Sequence, residues 1–203
     1  DYSLAETIPG SAATGAAVTA AESADPGLAE NTGHADRKVT GTVTGSGSLV
    51  LRRYYDRNTY TLTFQDADGA EIRSTTVRYG APLTPPELTR DGYTLNWKPE
   101  LPKTMPAEEV TYQAEWIAGT GTAYKVEHYQ QKADEEGYEL TETDNCIGTT
   151  GALTAAQAKS YPGFAAAKPF EQTSISGRGD TVVKLYYDRL TYSLTLDTRG
   201  GTL

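Results

Sequence analysis

The tetrapeptide Tyr54-Tyr55-Asp56-Arg57 returns as Tyr186-Tyr187-Asp188-Arg189, and Thr59-Tyr60 and Leu62 return with it as Thr191-Tyr192 and Leu194. A second block repeats at a slightly larger offset. Tyr2-Ser3-Leu4-Ala5-Glu6-Thr7 matches Tyr138-Glu139-Leu140-Thr141-Glu142-Thr143. The same register carries Thr14-Gly15-Ala16 onto Thr150-Gly151-Ala152 and Pro26-Gly27-Leu28 onto Pro162-Gly163-Phe164. The later copy is four residues shorter between the two blocks. A length change of that kind belongs to a surface loop. The repeat is about 130 residues, too long for one solenoid unit, and reads as two small modules, A and B, in alternation.

On this phasing, residues 1–57 are an A module that lacks its first strand, and 58–117 are a B module. Residues 118–123 are a linker, 124–189 are a complete A module, and 190–203 supply the first strand of a further B module. The linker contains Ala118-Gly119-Thr120-Gly121-Thr122, a composition that favours flexibility.

Each module reads as mainly β. In B, Tyr60-Thr61-Leu62-Thr63-Phe64 alternates apolar and polar with the period of a half-buried strand, and Asp66-Ala67-Asp68-Gly69 supplies a turn. Ile72–Tyr79, Gly92–Trp97 and Val110–Trp116 are further strands. In A, Tyr124–Tyr129 and Gly137–Leu140 form a hairpin, Thr154 caps a short helix over Ala155–Lys159, and Asp180–Tyr187 is the last strand. Four strands and one short helix in about 65 residues predict an α+β, β-grasp-like module or a small sandwich, near the lower size limit for a self-sufficient core.

Composition narrows the function. The net charge is −9 and Lys and Arg are scattered, which argues against nucleic acid and against an anionic membrane surface as partners. No run approaches the roughly 18 apolar residues of a membrane span. The single cysteine, Cys146, allows no intrachain disulfide and is expected to be a buried, inert thiol. The chain opens on Asp1 with no signal peptide, so it reads as a mature fragment or as a piece cut from something longer.

The residues also carry resemblances. Tyr60–Phe64, Tyr79-Gly80, Arg90-Asp91-Gly92-Tyr93, Trp97 and Tyr112-Gln113-Ala114-Glu115-Trp116 make the B module similar to the internalin B-repeat, also called the Listeria–Bacteroides repeat. One departure is Asn96, where that family has Gly before its Trp. Tyr124–Tyr129, Gly148-Thr149-Thr150-Gly151, Tyr161-Pro162-Gly163-Phe164 and Val183–Asp188 make the A module similar to mucin-binding-protein-type repeats. Both resemblances imply β-grasp units strung in an elongated array along a Gram-positive cell-surface protein. They imply an extracellular location, with cell-wall anchoring through regions outside this chain.

Catalytic constellations are missing: there is no Gly-x-Ser-x-Gly elbow and no phosphate-cradling Gly-Lys-Ser/Thr. His34 and His128 lack the further ligands of a zinc site. Asp66, Asp68 and Glu71 superficially resemble a calcium loop, but the equivalent turn, 198–201, has no carboxylate. Arg178-Gly179-Asp180 is an integrin-type tripeptide whose counterpart is Ser46-Gly47-Ser48, so the shared requirement is a Gly-x-Gly hairpin. Acidic pairs such as Glu108-Glu109 and Glu135-Glu136 read as solvated turns. No catalytic, cofactor-binding or metal-binding residue is expected.

The residues singled out for ligand or junction contacts are Tyr54, Tyr55, Asp56, Arg57, Tyr186, Tyr187, Asp188 and Arg189. Alternation should send one Tyr of each pair to the core and the other to the module junction. The expected function is a non-enzymatic stalk or spacer of an adhesin. The alternative is that the repeats themselves bind host mucin-type glycans or a host surface protein.

Overall fold

The computed structural model describes all residues except Asp134, Glu135, Thr198 and 200–203. Among the described residues the chain is all-β, without a helix, and is built from several small sheets. Residues 1–57 hold four three-residue strands, β1 (Ala17–Thr19), β2 (Leu28–Glu30), β3 (Thr40–Thr42) and β4 (Tyr55–Arg57). The next segment holds β5 (Thr59–Gln65), β6 (Glu71–Arg78), β7 (Tyr93–Lys98) and β8 (Val110–Ala118). The last holds β9 (Thr122–Gln131), β10 (Tyr138–Gly148) and β11 (Thr181–Tyr187). By contacts, the chain divides into two compact units, Asp1–Glu87 with Trp97–Glu115, and Leu88–Asn96 with Trp116–Leu203.

Within residues 58–118, β5 pairs antiparallel with β6 and parallel with β8, in a sheet of order β6-β5-β8-β7. The alternation at Tyr60–Phe64 does what its period dictates. Leu62 and Phe64 are buried, the ring of Phe64 meeting Trp97 edge-on at 4.9 Å and Tyr112 at 5.8 Å. Met105 and Ala114 complete the buried set on this sheet. The β5–β6 turn is held by Asp66, whose Oδ1 accepts the N–H groups of Asp68 and Ala70 at 3.0 and 2.8 Å. This carboxylate therefore serves the turn.

The second unit repeats the same plan. β9 pairs antiparallel with β10 and parallel with β11, in a sheet of order β10-β9-β11. Tyr124 and Val126 of β9 meet Val183, Leu185 and Tyr187 of β11, together with Ala156 and Ile175, in one buried cluster. Cys146 is half-buried against it.

A parallel pair needs a long crossover, usually a helix. Here the crossover between β10 and β11 stays irregular, and the short helix expected over Ala155–Lys159 does not form. Three polar side chains explain why. Tyr124 Oη accepts the Ala155 N–H (3.2 Å), Gln172 Oε1 accepts the Ala156 N–H (2.9 Å), and Tyr187 Oη accepts the Lys159 N–H (3.0 Å). Thr154 Oγ1 donates to Gln172 (2.7 Å) and accepts the Thr173 N–H (3.1 Å). The Lys159 N–H, which a helix over these residues would have bonded to Ala155 O, goes to β11 instead, and the Ala155 and Ala156 N–H groups, which a helix leaves unpaired at its start, find acceptors on β9 and on the far side of the crossover.

The linker is shorter than its sequence suggested. β8 runs through Ala118 and β9 starts at Thr122. Gly119 N–H donates to Gly92 O at 2.8 Å, and Gly119 O accepts from Thr150 N at 2.8 Å. Gly92, at φ +75°, lies so near Thr150 and Gly177 that a Cβ there would come within 2.5 Å of both.

Residues 1–57 keep the crossover of the 124–189 copy without its central strand. Ala17 pairs with Thr42 as Leu153 pairs with Ser174, and Leu28 pairs with Arg57 as Phe164 pairs with Arg189. Gly15 N–H donates to Val43 O as Gly151 N–H donates to Ile175 O, each at 2.8 Å. Yet no hydrophobic side chain of 1–57 is fully buried. Leu185 at the heart of the second core is matched by Arg53, whose guanidinium bonds Ala20 O and Glu30, and Glu30 in turn bonds Arg37.

Native-state hydrogen exchange should therefore separate the two copies. Amides of Thr181–Tyr187 should exchange on the order of a hundredfold more slowly than those of Leu49–Arg53, which join no ladder beyond the Lys38–Arg52 bridge. Protection within tenfold of one another would show that the central strand does not set local stability.

Candidate functional site: the Tyr-Tyr-Asp-Arg segments

The two copies place the first three residues of the motif alike. The second tyrosine points to the crossover. Tyr55 Oη accepts the Ser23 N–H at 2.8 Å, as Tyr187 Oη accepts that of the equivalent Lys159. Tyr187 is fully buried, and its hydroxyl also meets His128 Nδ1 at 2.9 Å. The first tyrosine takes the opposite face. Tyr186 stacks on Tyr129 with centroids 5.1 Å apart and meets Tyr138 edge-on at 5.0 Å. Tyr54 meets Tyr2, the counterpart of Tyr138, edge-on at 5.2 Å. In place of a β9 tyrosine, the ring stacked on Tyr54 at 3.6 Å is His34, from the longer loop of the first copy.

The aspartate is an acceptor in both copies. Tyr2 Oη donates to Asp56 Oδ1 at 2.5 Å, and Tyr138 Oη donates to Asp188 Oδ1. Lys168 Nζ lies 3.2 Å from the same Asp188 oxygen. The Tyr138 hydroxyl first, then Lys168, hold the Asp188 carboxyl below its ordinary value. Conversely, the Asp56 carboxylate holds the Tyr2 hydroxyl above its own.

The arginine differs between copies. Arg57 Nη1 donates to Tyr79 O at 3.0 Å, reaching β6's end in the next segment. Arg189 Nε donates to Gln131 O at 2.7 Å, its N–H donates to Gln131 Oε1 at 3.0 Å, and its guanidinium lies over the Phe164 ring.

Beside Arg57, the 58–117 segment grips the Pro26-Gly27 turn. Tyr60 Oη and Asn58 Nδ2 each donate to Pro26 O at 3.0 Å, and Tyr79 Oη donates to Asp25 Oδ2 at 3.1 Å. A Cβ on Gly27 would sit 2.2 Å from the Tyr79 ring, so the ring lies directly on glycine backbone. The Asn58 N–H to Gly27 O bond recurs as Leu190 N–H to Gly163 O, both at 2.9 Å.

Sequence reasoning missed one polar cluster. In 124–189, Lys159 Nζ lies 2.6 Å from Asp144 Oδ1 and 2.7 Å from Glu142 Oε1, and Tyr161 Oη donates to Glu142 at 2.6 Å. Buried His128 reaches Asp144 through Nε2 at 3.2 Å. Lys159 is the largest cause holding both carboxyls below their ordinary values. Burial first, then Glu142, raises the Tyr161 hydroxyl, and the two carboxylates raise Lys159. The first copy has Glu6, Ile8 and Ser23 at the matching positions of Glu142, Asp144 and Lys159, so the repeat itself gave no signal.

Among the other candidates, Arg178 Nε donates to Asp91 Oδ2 at 2.9 Å, which engages the arginine of the Arg-Gly-Asp tripeptide. Among the described residues, no group of three or more His, Cys, Asp and Glu is placed to hold a metal ion. Glu135 lies outside the described residues.

This geometry defines an all-β repeat protein whose repeated motif makes structural contacts. No family model matches the chain, and no curated protein matches it. Among solved structures it is similar to a pair of repeats described as Streptococcal High Identity Repeats in Tandem (SHIRT) domains 3-4 from a cell surface protein. The identity is 12%, the TM-score is 0.24, and the match covers 64% of this chain and 98% of that one.

Two outcomes are expected. Gly27 is not at positive φ, so Gly27→Ala should cost about 1–3 kcal/mol, solely by displacing Tyr79. In the Tyr79→Ala background the same substitution should cost almost nothing, and denaturant titrations around this double-mutant cycle check it. The second outcome concerns acid. A carboxyl held below its ordinary value stabilises the fold above its unfolded-state pKa and loses that contribution as pH falls through the lower folded value. Glu142, Asp144 and Asp188 are all held down, so the 124–189 segment should keep its stability above about pH 5 and lose it below about pH 4. Thermal melts from pH 2 to 7 should show a shallower acid limb for Lys159→Met.

Proposed function

We propose that this chain is a non-enzymatic repeat segment of a bacterial cell-surface protein and serves as the stalk of an adhesin, spacing a distal binding region from the cell. The observation that carries this reading is that the repeated motif is engaged by the chain itself. Both tyrosines of each pair have intrachain partners, both aspartates accept a tyrosine hydroxyl, and both arginines cap backbone carbonyls. A sugar-binding platform needs an aromatic face left open for stacking. Here the rings of Tyr54, Tyr186 and Tyr187 lie against other rings, and the Tyr55 hydroxyl is bonded to the crossover. The reading also draws on the resemblance to internalin B-repeats and mucin-binding-protein-type repeats, which implies a Gram-positive, extracellular setting with anchoring outside this chain.

A stalk has two measurable consequences. A glycan array probed with the 1–203 protein should give no reproducible binding at millimolar ligand. Small-angle scattering should give a radius of gyration well above the ~17 Å of a compact chain of this length. Glycan binding that disappears on Tyr54→Ala or Tyr186→Ala would overturn the stalk in favour of a mucin-type glycan-binding repeat.

A further inference from the structure

The turn Arg90-Asp91-Gly92-Tyr93 belongs by sequence to the 58–117 module, yet it docks on the 124–189 fold. By contacts, Leu88–Asn96 groups with Trp116–Leu203, whereas Trp97–Glu115 does not. The turn closes on itself through the Tyr93 N–H, which donates to Arg90 O at 3.0 Å. Its receiving surface is made of the two ends of the β10–β11 crossover. Gly151 N–H donates to Ile175 O at 2.8 Å and ties those ends together, and the Ile175 side chain is part of the buried cluster. On this rim the turn meets backbone. A Cβ on Gly177 would lie 1.8 Å from Asp91 O, and one on Gly119 would lie 2.9 Å from Gly92 O. Neither of these two glycines is at positive φ, so close approach alone requires them. Gly119 bridges the two sides. Its N–H donates to Gly92 O and its O accepts the Thr150 N–H, each at 2.8 Å. Thr150 is buried, and its hydroxyl lies 2.6 Å from that of Thr122 at the start of β9.

We propose that this turn is a latch, which makes the 58–117 module and the 124–189 fold open together as one cooperative unit. Two features carry the coupling. First, the turn runs directly into β7 (Tyr93–Lys98), where Trp97 is buried against Phe64 of the first core. One short extended strand therefore joins the docked turn to that core, and an extended strand has little slack. Second, backbone seated on backbone has no side-chain rotation by which to relax, so the turn is either docked or displaced. The Arg178–Asp91 ion pair adds little, since both side chains are largely exposed. Cooperative units of a protein are set by contacts of this kind rather than by module boundaries in the sequence. The latch adds to the stalk reading without resting on it. In a stalk, it removes the weaker of the two modules as a separate point of failure.

The test is native-state hydrogen exchange on the whole 1–203 protein, read at Leu62–Phe64 for the first core and at Val183–Tyr187 for the second. Leu185→Ala removes a fully buried side chain from the second core only. It should speed exchange at Val183–Tyr187 by at least about thirtyfold, and at Leu62–Phe64 by a similar factor. Val183→Ala takes its place if that variant does not fold. With Gly177→Ala added, the effect at Val183–Tyr187 should remain and the effect at Leu62–Phe64 should disappear. Gly119→Ala, which blocks the same approach from the linker, should do likewise. Asp91→Ala, which removes only the ion pair, should leave both effects intact. The latch is overturned if the second-core substitution leaves Leu62–Phe64 unchanged, or if its effect there survives both glycine substitutions. It is equally overturned if Asp91→Ala alone abolishes the effect, because the coupling then runs through the ion pair. Glycan binding, which overturns the stalk, leaves these outcomes untouched.

Discussion

The pairing of the first strand with the last, in parallel, is the interaction on which the other features of each segment depend. β5 lies between β6 and β8, and β9 lies between β10 and β11, so each opening strand is internal to its sheet. An internal strand is bonded on both edges and buries one face, so it carries more of the core than its length suggests. Of the buried cluster in 124–189, β9 provides Tyr124 and Val126, and the side chains that pin the crossover, Tyr124 and Tyr187, belong to the same parallel pair. In residues 1–57 the crossover bonds recur, but no hydrophobic side chain is fully buried.

The crossover shows how local propensity yields to tertiary contacts. Ala155–Lys159 has the composition and the preceding threonine of a short helix. A helix so short gains little on its own, because nucleation is costly. Gln172 and two core tyrosines offer its N–H groups acceptors at 2.9–3.2 Å, and the extended path brings Ala156 into the core. Specific side chains thus satisfy these N–H groups along a path that is not helical.

The recurring motif gains its meaning from the same arrangement. In Tyr-Tyr-Asp-Arg, strand alternation sends Tyr55 and Tyr187 toward the crossover, and Tyr54 and Tyr186 to the opposite face. On that face Tyr186 rests on Tyr129 and Tyr138, and Tyr54 on His34 and Tyr2, all within the same segment. The expected placement of one tyrosine at a junction applies to different residues, because Tyr60 and Tyr79 are the rings at the Pro26-Gly27 turn. Gly27 is selected there by close approach of an aromatic ring, a need that its sequence neighbours do not reveal.

What the sequence determined by itself was the β character and the rough positions of strands in 58–117 and 124–189, because side-chain alternation with a period of two and turn residues are local properties of the chain. Repeat matching also located the motif and the variable loop that holds His34. The tertiary structure alone decided which strands are neighbours, that the crossover is not helical, and that His34 stacks on Tyr54. It also decided that Lys159, Asp144, Glu142 and His128 converge. Those outcomes depend on residues far apart in sequence meeting across a parallel pair. No window of local sequence contains both partners of such a contact, and the first copy, with Ile8 and Ser23 in place of Asp144 and Lys159, offered no repeated pattern from which to infer it.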